Sequence, residues 1–210
     1  MDEQVRVEDQ LVVDALRRVG LGVTSSQDLM NTRGPYPEAI PVLVDMLGKV
    51  KTYTVKEIII RSLGVRAAKG RVEDALIAEF ELSLADKSAD AQGFRWAIAN
   101  TLEMIGGKGD VDALMRLLQD PRSARARGLL SIATAKTKDR RVIPVLLDYL
   151  DSPDLQGFAA RGLGVLGAQE AIPKLKEILA TTKNSWIRRE ALKALKRMGA
   201  SVEEGKGKGS

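Results

Sequence analysis

The chain has 210 residues, a net charge of +5 and an apolar fraction of 44%, with aromatic content of only 4%. It contains no cysteine, which excludes disulfides, thiolate metal sites and a cysteine nucleophile. It contains no histidine either, which removes the commonest general acid/base and a leading metal ligand. Ala, Leu, Ile and Val must fill the core, and such residues suit close helix packing better than a β-sandwich. The N-terminus, Met1-Asp2-Glu3-Gln4, is acidic and lacks the basic-then-apolar pattern of a signal peptide. No apolar run approaches the length of a membrane span. A cytoplasmic protein is the expectation.

In chain order, Glu8 to Val19 reads as a first helix, with Leu11, Val12, Ala15 and Val19 on one face. Gly20 and Gly22 stop it, and Ser25 or Ser26 is placed to cap a short helix through Leu29 and Met30. Arg33-Gly34-Pro35-Tyr36-Pro37 reads as a loop. Residues 1–37 are therefore expected to be an N-terminal helical cap.

A phrase then returns. Its openings are Ala39-Ile40-Pro41-Val42-Leu43, Val142-Ile143-Pro144-Val145-Leu146 and Ala171-Ile172-Pro173-Lys174-Leu175. Its closings are Arg61-Ser62-Leu63-Gly64, Arg161-Gly162-Leu163-Gly164 and Lys193-Ala194-Leu195-Lys196. Matched leucines at 63, 102, 129, 163 and 195 lie 27 to 39 residues apart, a helical-repeat period. About five helix pairs follow from it, each an A helix and a B helix, over 38–199. The A helices are expected at Glu38–Leu47, Ala75–Leu82, Val111–Leu118, Val142–Leu150 and Ala171–Leu179. The B helices are expected at Val55–Val65, Gln92–Ile105, Ala124–Ala133, Leu155–Leu166 and Ser185–Met198. Proline at 41, 144 and 173 falls in the first turn of an A helix, where a missing N–H does little harm. Gly106, Gly167 and Gly199 follow B helices as C-terminal caps. Residues 200–210, with Gly205-Lys206-Gly207-Lys208-Gly209-Ser210, read as a disordered tail.

The Ile-Pro-x-Leu opening and the Ala-Leu-Gly closing resemble HEAT repeats of the short bacterial type, also found in phycobilin lyases. The resemblance covers about 38–199 and is strongest in pairs four and five. Pair three is degenerate, with Asp112 where Pro144 stands and Ala133 where Gly167 stands. The resemblance implies an all-α superhelical solenoid of hairpins with B helices on its concave side.

Aligning the B helices on their leucines sorts side chains into rows. One core row is Ile59, Ile98, Ala159 and Ala191, and the matched leucines form another. Two positions before each leucine stand Arg61, Asn100, Arg127, Arg161 and Lys193. Four residues earlier stand Glu57, Trp96, Ser123, Gly157 and Arg189, and three residues after come Gly64, Glu103, Leu130, Gly164 and Lys196. Spacings of four and three put these rows on one face. The candidate binding residues are Glu57, Arg61, Trp96, Asn100, Arg127, Arg161, Arg189 and Lys193. The arginines read equally well as a ladder joining neighbouring hairpins. Trp96 reads either as a groove-facing stacking residue or as filler between hairpins, and Trp186 reads as packing over a loop.

Charge is uneven. Residues 1–105 carry 13 Lys/Arg against 16 Asp/Glu, a net of −3, and 106–210 carry 20 against 12, a net of +8. The first reading is a non-catalytic scaffold that binds a protein or peptide partner, acidic by charge, with no cofactor, no metal, no membrane and a monomeric state. The second is nucleic-acid binding, which needs an unbroken cationic stripe. The resemblance extends that second reading to HEAT-like alkylpurine DNA glycosylases, with Trp96, Trp186, Arg127 and Asp154 as residues of the required types and no ordered motif joining them. A third reading is bilin-lyase-like ligand handling. The histidine-dependent iron chemistry of helical-repeat hydroxylases has no ligands here.

Overall fold

The computed structural model describes residues 2–32 and 36–201. The loop residues 33–35 and the tail from 202 onward lie outside the described residues. Among those described, every regular element is helical. Helices α1 (Glu3–Arg18) and α2 (Asp28–Asn31) precede five hairpins. These are α3 (Ala39–Leu47) with α4 (Tyr53–Ser62), α5 (Glu73–Ser83) with α6 (Ala89–Ile105), α7 (Val111–Gln119) with α8 (Arg127–Lys136), α9 (Ile143–Tyr149) with α10 (Gln156–Leu166), and α11 (Ile172–Thr181) with α12 (Ser185–Arg197). Pro144 and Pro173 sit in the first turns of α9 and α11. Gly167 ends α10 in the left-handed conformation, with φ 64°, which a side chain would strain.

The second helices of the hairpins, α4, α6, α8, α10 and α12, pack on one another in sequence order, while the first helices touch each other far less. We term this closely packed layer the inner one. Each inner helix contributes a pair of side chains four residues apart to the seam: Ile59/Leu63, Ile98/Leu102, Ala126/Leu130, Ala159/Leu163 and Ala191/Leu195. All ten are buried to within 3%.

The third pair corrects the register expected from sequence. Leu130 is fully buried, whereas Leu129 is only partly so. The string Gly128-Leu129 copies Gly162-Leu163, but the backbone before it is different. A 3₁₀ segment, Pro121–Ala126, contains Ala124 at φ 29° and ψ −107°, outside the helical region. The phase of the following helix is therefore set by its own packing, one residue out of step with the copied string.

Helix α1 is also rotated from expectation. Val12, Val13 and Leu16 are buried, while Leu11 and Val19 are exposed. The cause is Glu8, which occupies the buried face and accepts hydrogen bonds from the N–H groups of Lys51 and Thr52 (3.0 and 2.9 Å) and from the Thr52 hydroxyl (2.7 Å). Its carboxylate thus serves the N-terminus of α4, whose own cap residue Thr52 makes no side-chain capping bond. Burial pushes the Glu8 carboxyl up, but the donors from Gln4, Thr52 and Lys51 outweigh it and hold the pKa at about 2. Before α2, Ser25 accepts from the Gln27 N–H, while Ser26 bonds to Asp9 rather than capping the helix.

A further row fixes each hairpin. Seven residues before the seam leucines of α6, α8, α10 and α12 stand Arg95, Ser123, Gln156 and Arg188. Each donates to a carbonyl at the end of its partner helix: Arg95 to Ser83 (2.5 Å), Ser123 to Leu117 (2.6 Å), Gln156 to Leu150 (2.7 Å) and Arg188 to Leu179 (2.6 Å). Helix C-termini leave such carbonyls without intrahelical donors. The first hairpin uses Lys56 differently, pairing it with Glu79 of α5 at 2.6 Å in a largely buried ion pair.

Candidate functional site

In α6 the residue after the clasp faces solvent. Arg95 is buried and tied to α5, so its neighbour Trp96 is turned outward, 40% exposed. Trp96 does not fill space between hairpins. The Arg61 guanidinium of α4 lies 5.9 Å from the centre of its ring, within cation–π range. Arg61 is held in turn by Glu57, one turn earlier, through Nε–Oε1 at 2.9 Å. These side chains, with Gln92, Gly93 and Arg125, line an open cleft of about 330 Å³. It runs into a second of about 360 Å³, which adds Met30, Tyr53 and Ile58 and shares Glu57, Arg61 and Gly93. Met30 is 41% exposed, a large apolar side chain facing solvent in the second cleft. Burial, then the nearby Asp86 carboxylate, push the Tyr53 phenol above its ordinary value, so it stays protonated at neutral pH.

Further along α6, Asn100 donates to the Met104 sulfur at 3.5 Å, and Met104 is 57% exposed. Trp96, Asn100 and Met104 lie four residues apart and form one stripe. Glu57, Arg61, Trp96 and Asn100 are thus brought together on neighbouring helices.

The other four expected site residues are dispersed. Arg127 leaves the row with the register change. It donates to the Asp120 carbonyl at 2.9 Å, and its Nε is buried without a partner. Arg161 reaches from α10 past α8 to Glu103 of α6 at 2.7 Å, where Lys136 of α8 also pairs at 2.7 Å. The Glu103 side chain is 11% exposed, so this is a linkage across three successive hairpins. Arg189 and Lys193 are more than half exposed on α12, and each approaches Glu190 at 3.3 Å. No continuous cationic strip joins Arg127, Arg161 and Arg189. Two bond within the array, and the third lies on the terminal helix.

Arg127 and Asp154 do line one cleft of about 440 Å³ with Phe158. Trp186 stands behind it, edge-on to Phe158 with ring centres 4.8 Å apart, packed over Gly157. Trp96 belongs to the other cleft, so the tryptophans do not share a site. Among the described residues, no group of three or more Asp or Glu side chains is placed to hold a metal ion, and no helix is long and apolar enough to cross a membrane.

Sequence reasoning did not single out Gly93, Met30, Met104 or Arg125. Gly93 alone had a readable signal, a glycine within a helix pattern, which often marks a close approach. Met30 and Arg125 reach the cleft from the N-terminal cap and the degenerate third hairpin, where no repeat alignment applies.

Residues 143–204 match the family model described as HEAT repeats. No curated protein matches the chain. The matched segment is the fourth and fifth hairpins, and the same hairpin and the same seam continue back to α3. Over residues 143–204 the chain is thus similar to HEAT repeats, and the hairpins before them share the same all-helical stacking.

Proposed function

We propose that the protein is a non-catalytic binding scaffold whose exposed inner-layer face takes a protein or peptide partner. The observation that carries this reading is Trp96. A large aromatic side chain is held outward by a buried neighbour and braced by Arg61, with exposed Met30 in the adjoining cleft and exposed Met104 further along the same helix. Exposed tryptophan, arginine and methionine side chains gathered beside a cleft are the composition of peptide-binding surfaces. An acidic partner is favoured by Arg125, Arg189 and Lys193, all exposed on the same layer.

The nucleic-acid reading draws less support, because Arg127 and Arg161 are engaged within the array. Phosphate binding needs spaced, available cations. A pull-down from native lysate separates the two readings. The bound fraction is expected to survive nuclease treatment and to be lost with Trp96→Ala. Loss on nuclease treatment, or full retention by Trp96→Ala, contradicts the proposal.

A further inference from the structure

A cleft of about 640 Å³ lies apart from the one beside Trp96. It lies where the inner helices end, and its lining includes four cations, Lys69, Lys136, Lys138 and Arg197, and no carboxylate. The cations come from the ends of the first, third and fifth hairpins, so a single concavity gathers charge from across the array. Lys136 and Lys138 are held in place by donating to the carbonyls of Glu103 and Val165. An ammonium carries three N–H donors, so each keeps capacity for an anion. Lys69 and Arg197 are exposed and enter no ion pair among the described residues. The Glu103 carboxylate is largely buried and shared between Lys136 and Arg161. The cleft is therefore a concave positive surface in which three cations, Lys69, Lys138 and Arg197, enter no ion pair among the described residues, beside a fourth, Lys136, that is paired.

Its rim meets the face described above. Met104 lines this cleft, and Trp96 lines the smaller one, at opposite ends of the same exposed stripe of α6. The two are eight residues apart on one helix, about 12 Å. An extended peptide covers that distance in about four residues.

We propose that the cleft lined by Lys69, Lys136, Lys138 and Arg197 docks a run of carboxylate side chains in the same peptide that places an apolar anchor on Trp96. The recognised segment then has an apolar residue followed, or preceded, by an acidic cluster about four residues away. A peptide fits better than a nucleic acid. The cleft mixes its cations with apolar Met104, Val165 and Leu166, and it has no aromatic ring on which a base could stack. This proposal rests on the Trp96 face being the binding face.

The test is fluorescence anisotropy with labelled peptides that carry a leucine anchor, a glutamate run, or both at the stated spacing. The joined peptide is expected to bind at least about tenfold more tightly than either half, because the second contact becomes intramolecular. Lys69→Glu with Arg197→Glu should reduce it to the level of the anchor alone and flatten its salt dependence, with an unchanged melting temperature. Trp96→Ala should reduce it to the level of the glutamate run. No saturable binding of the joined peptide, or tighter binding of a single-stranded oligonucleotide of equal charge, overturns the proposal. Loss with Trp96→Ala but not with the double charge reversal overturns the acidic subsite alone and leaves the Trp96 face standing. The reverse pattern overturns the Trp96 face, and with it the joined mode.

Discussion

At the scale of single residues, glycines decide how closely the inner helices approach. A Cβ at Gly164 would lie 2.8 Å from the Ala194 Cα, against backbone that cannot rotate away. Gly164→Ala should therefore destabilise the array by about 1–3 kcal/mol despite the better helix propensity of alanine. Gly93 is the opposite case, since a Cβ there meets nothing within 4 Å. Gly93→Ala should stabilise by about 0.5–1 kcal/mol. Urea unfolding of the two variants gives opposite signs if the packing is as described. Leu163→Ala should cost about 2–5 kcal/mol, because Leu163 is fully buried in the seam. A loss below about 0.5 kcal/mol would place it on the surface. The repeat's closing phrase put Gly162 and Gly164 on a second helix in the sequence, and the structure shows what each approaches. The outward turn of Trp96 was not legible, because it depends on Arg95 bonding to a carbonyl of another helix.

Among the elements, α1 packs on the array through Val12, Val13 and Leu16 and is tied to α4 by one carboxylate. The folded pKa of Glu8 is about 2, below the ordinary 4.5. A depressed carboxylate contributes stability that is present above its unfolded pKa and lost as pH falls toward the folded value. The contribution should thus be complete at neutral pH and fade between about pH 4.5 and 2, amounting to up to about 3 kcal/mol. Glu8→Gln should lower neutral-pH stability and show a flatter acid limb in chemical denaturation. An acid limb identical to that of the wild type would show that Glu8 is not the group responsible. Helix existence and order could be read from the repeat phrase, since apolar periodicity and proline position are local. Helix phase could not be read where locality fails. The Leu129 register broke at Ala124, whose left-handed backbone no pattern announces. The α1 face broke at Glu8, a charged residue buried because a distant helix end lacks donors' partners of its own.

Across the whole molecule, charge is used in two ways. Arg161, Lys136 and Glu103 tie three hairpins together, while Arg189 and Lys193, more than half exposed, pair only with Glu190 of their own helix and Lys196 is exposed beside them. Arg161→Glu should lower the melting temperature by placing like charge beside buried Glu103. Lys196→Glu should leave it nearly unchanged, because Lys196 is exposed on the last helix and enters no ion pair among the described residues. Equal effects in a thermal melt would contradict the distinction. A sequence row of cations could not tell these roles apart, because linkage and availability differ only in what each side chain reaches. The binding face itself separates function from stability at one position. Gly93 lines both clefts beside Trp96, and a side chain there enters open space. The most direct measurement is partner capture and melting temperature on the same preparation of Gly93→Gln. The account predicts a melting temperature equal to or above the wild type, with capture reduced by about tenfold, or about 1.4 kcal/mol. Undiminished capture by a folded Gly93→Gln protein would contradict it.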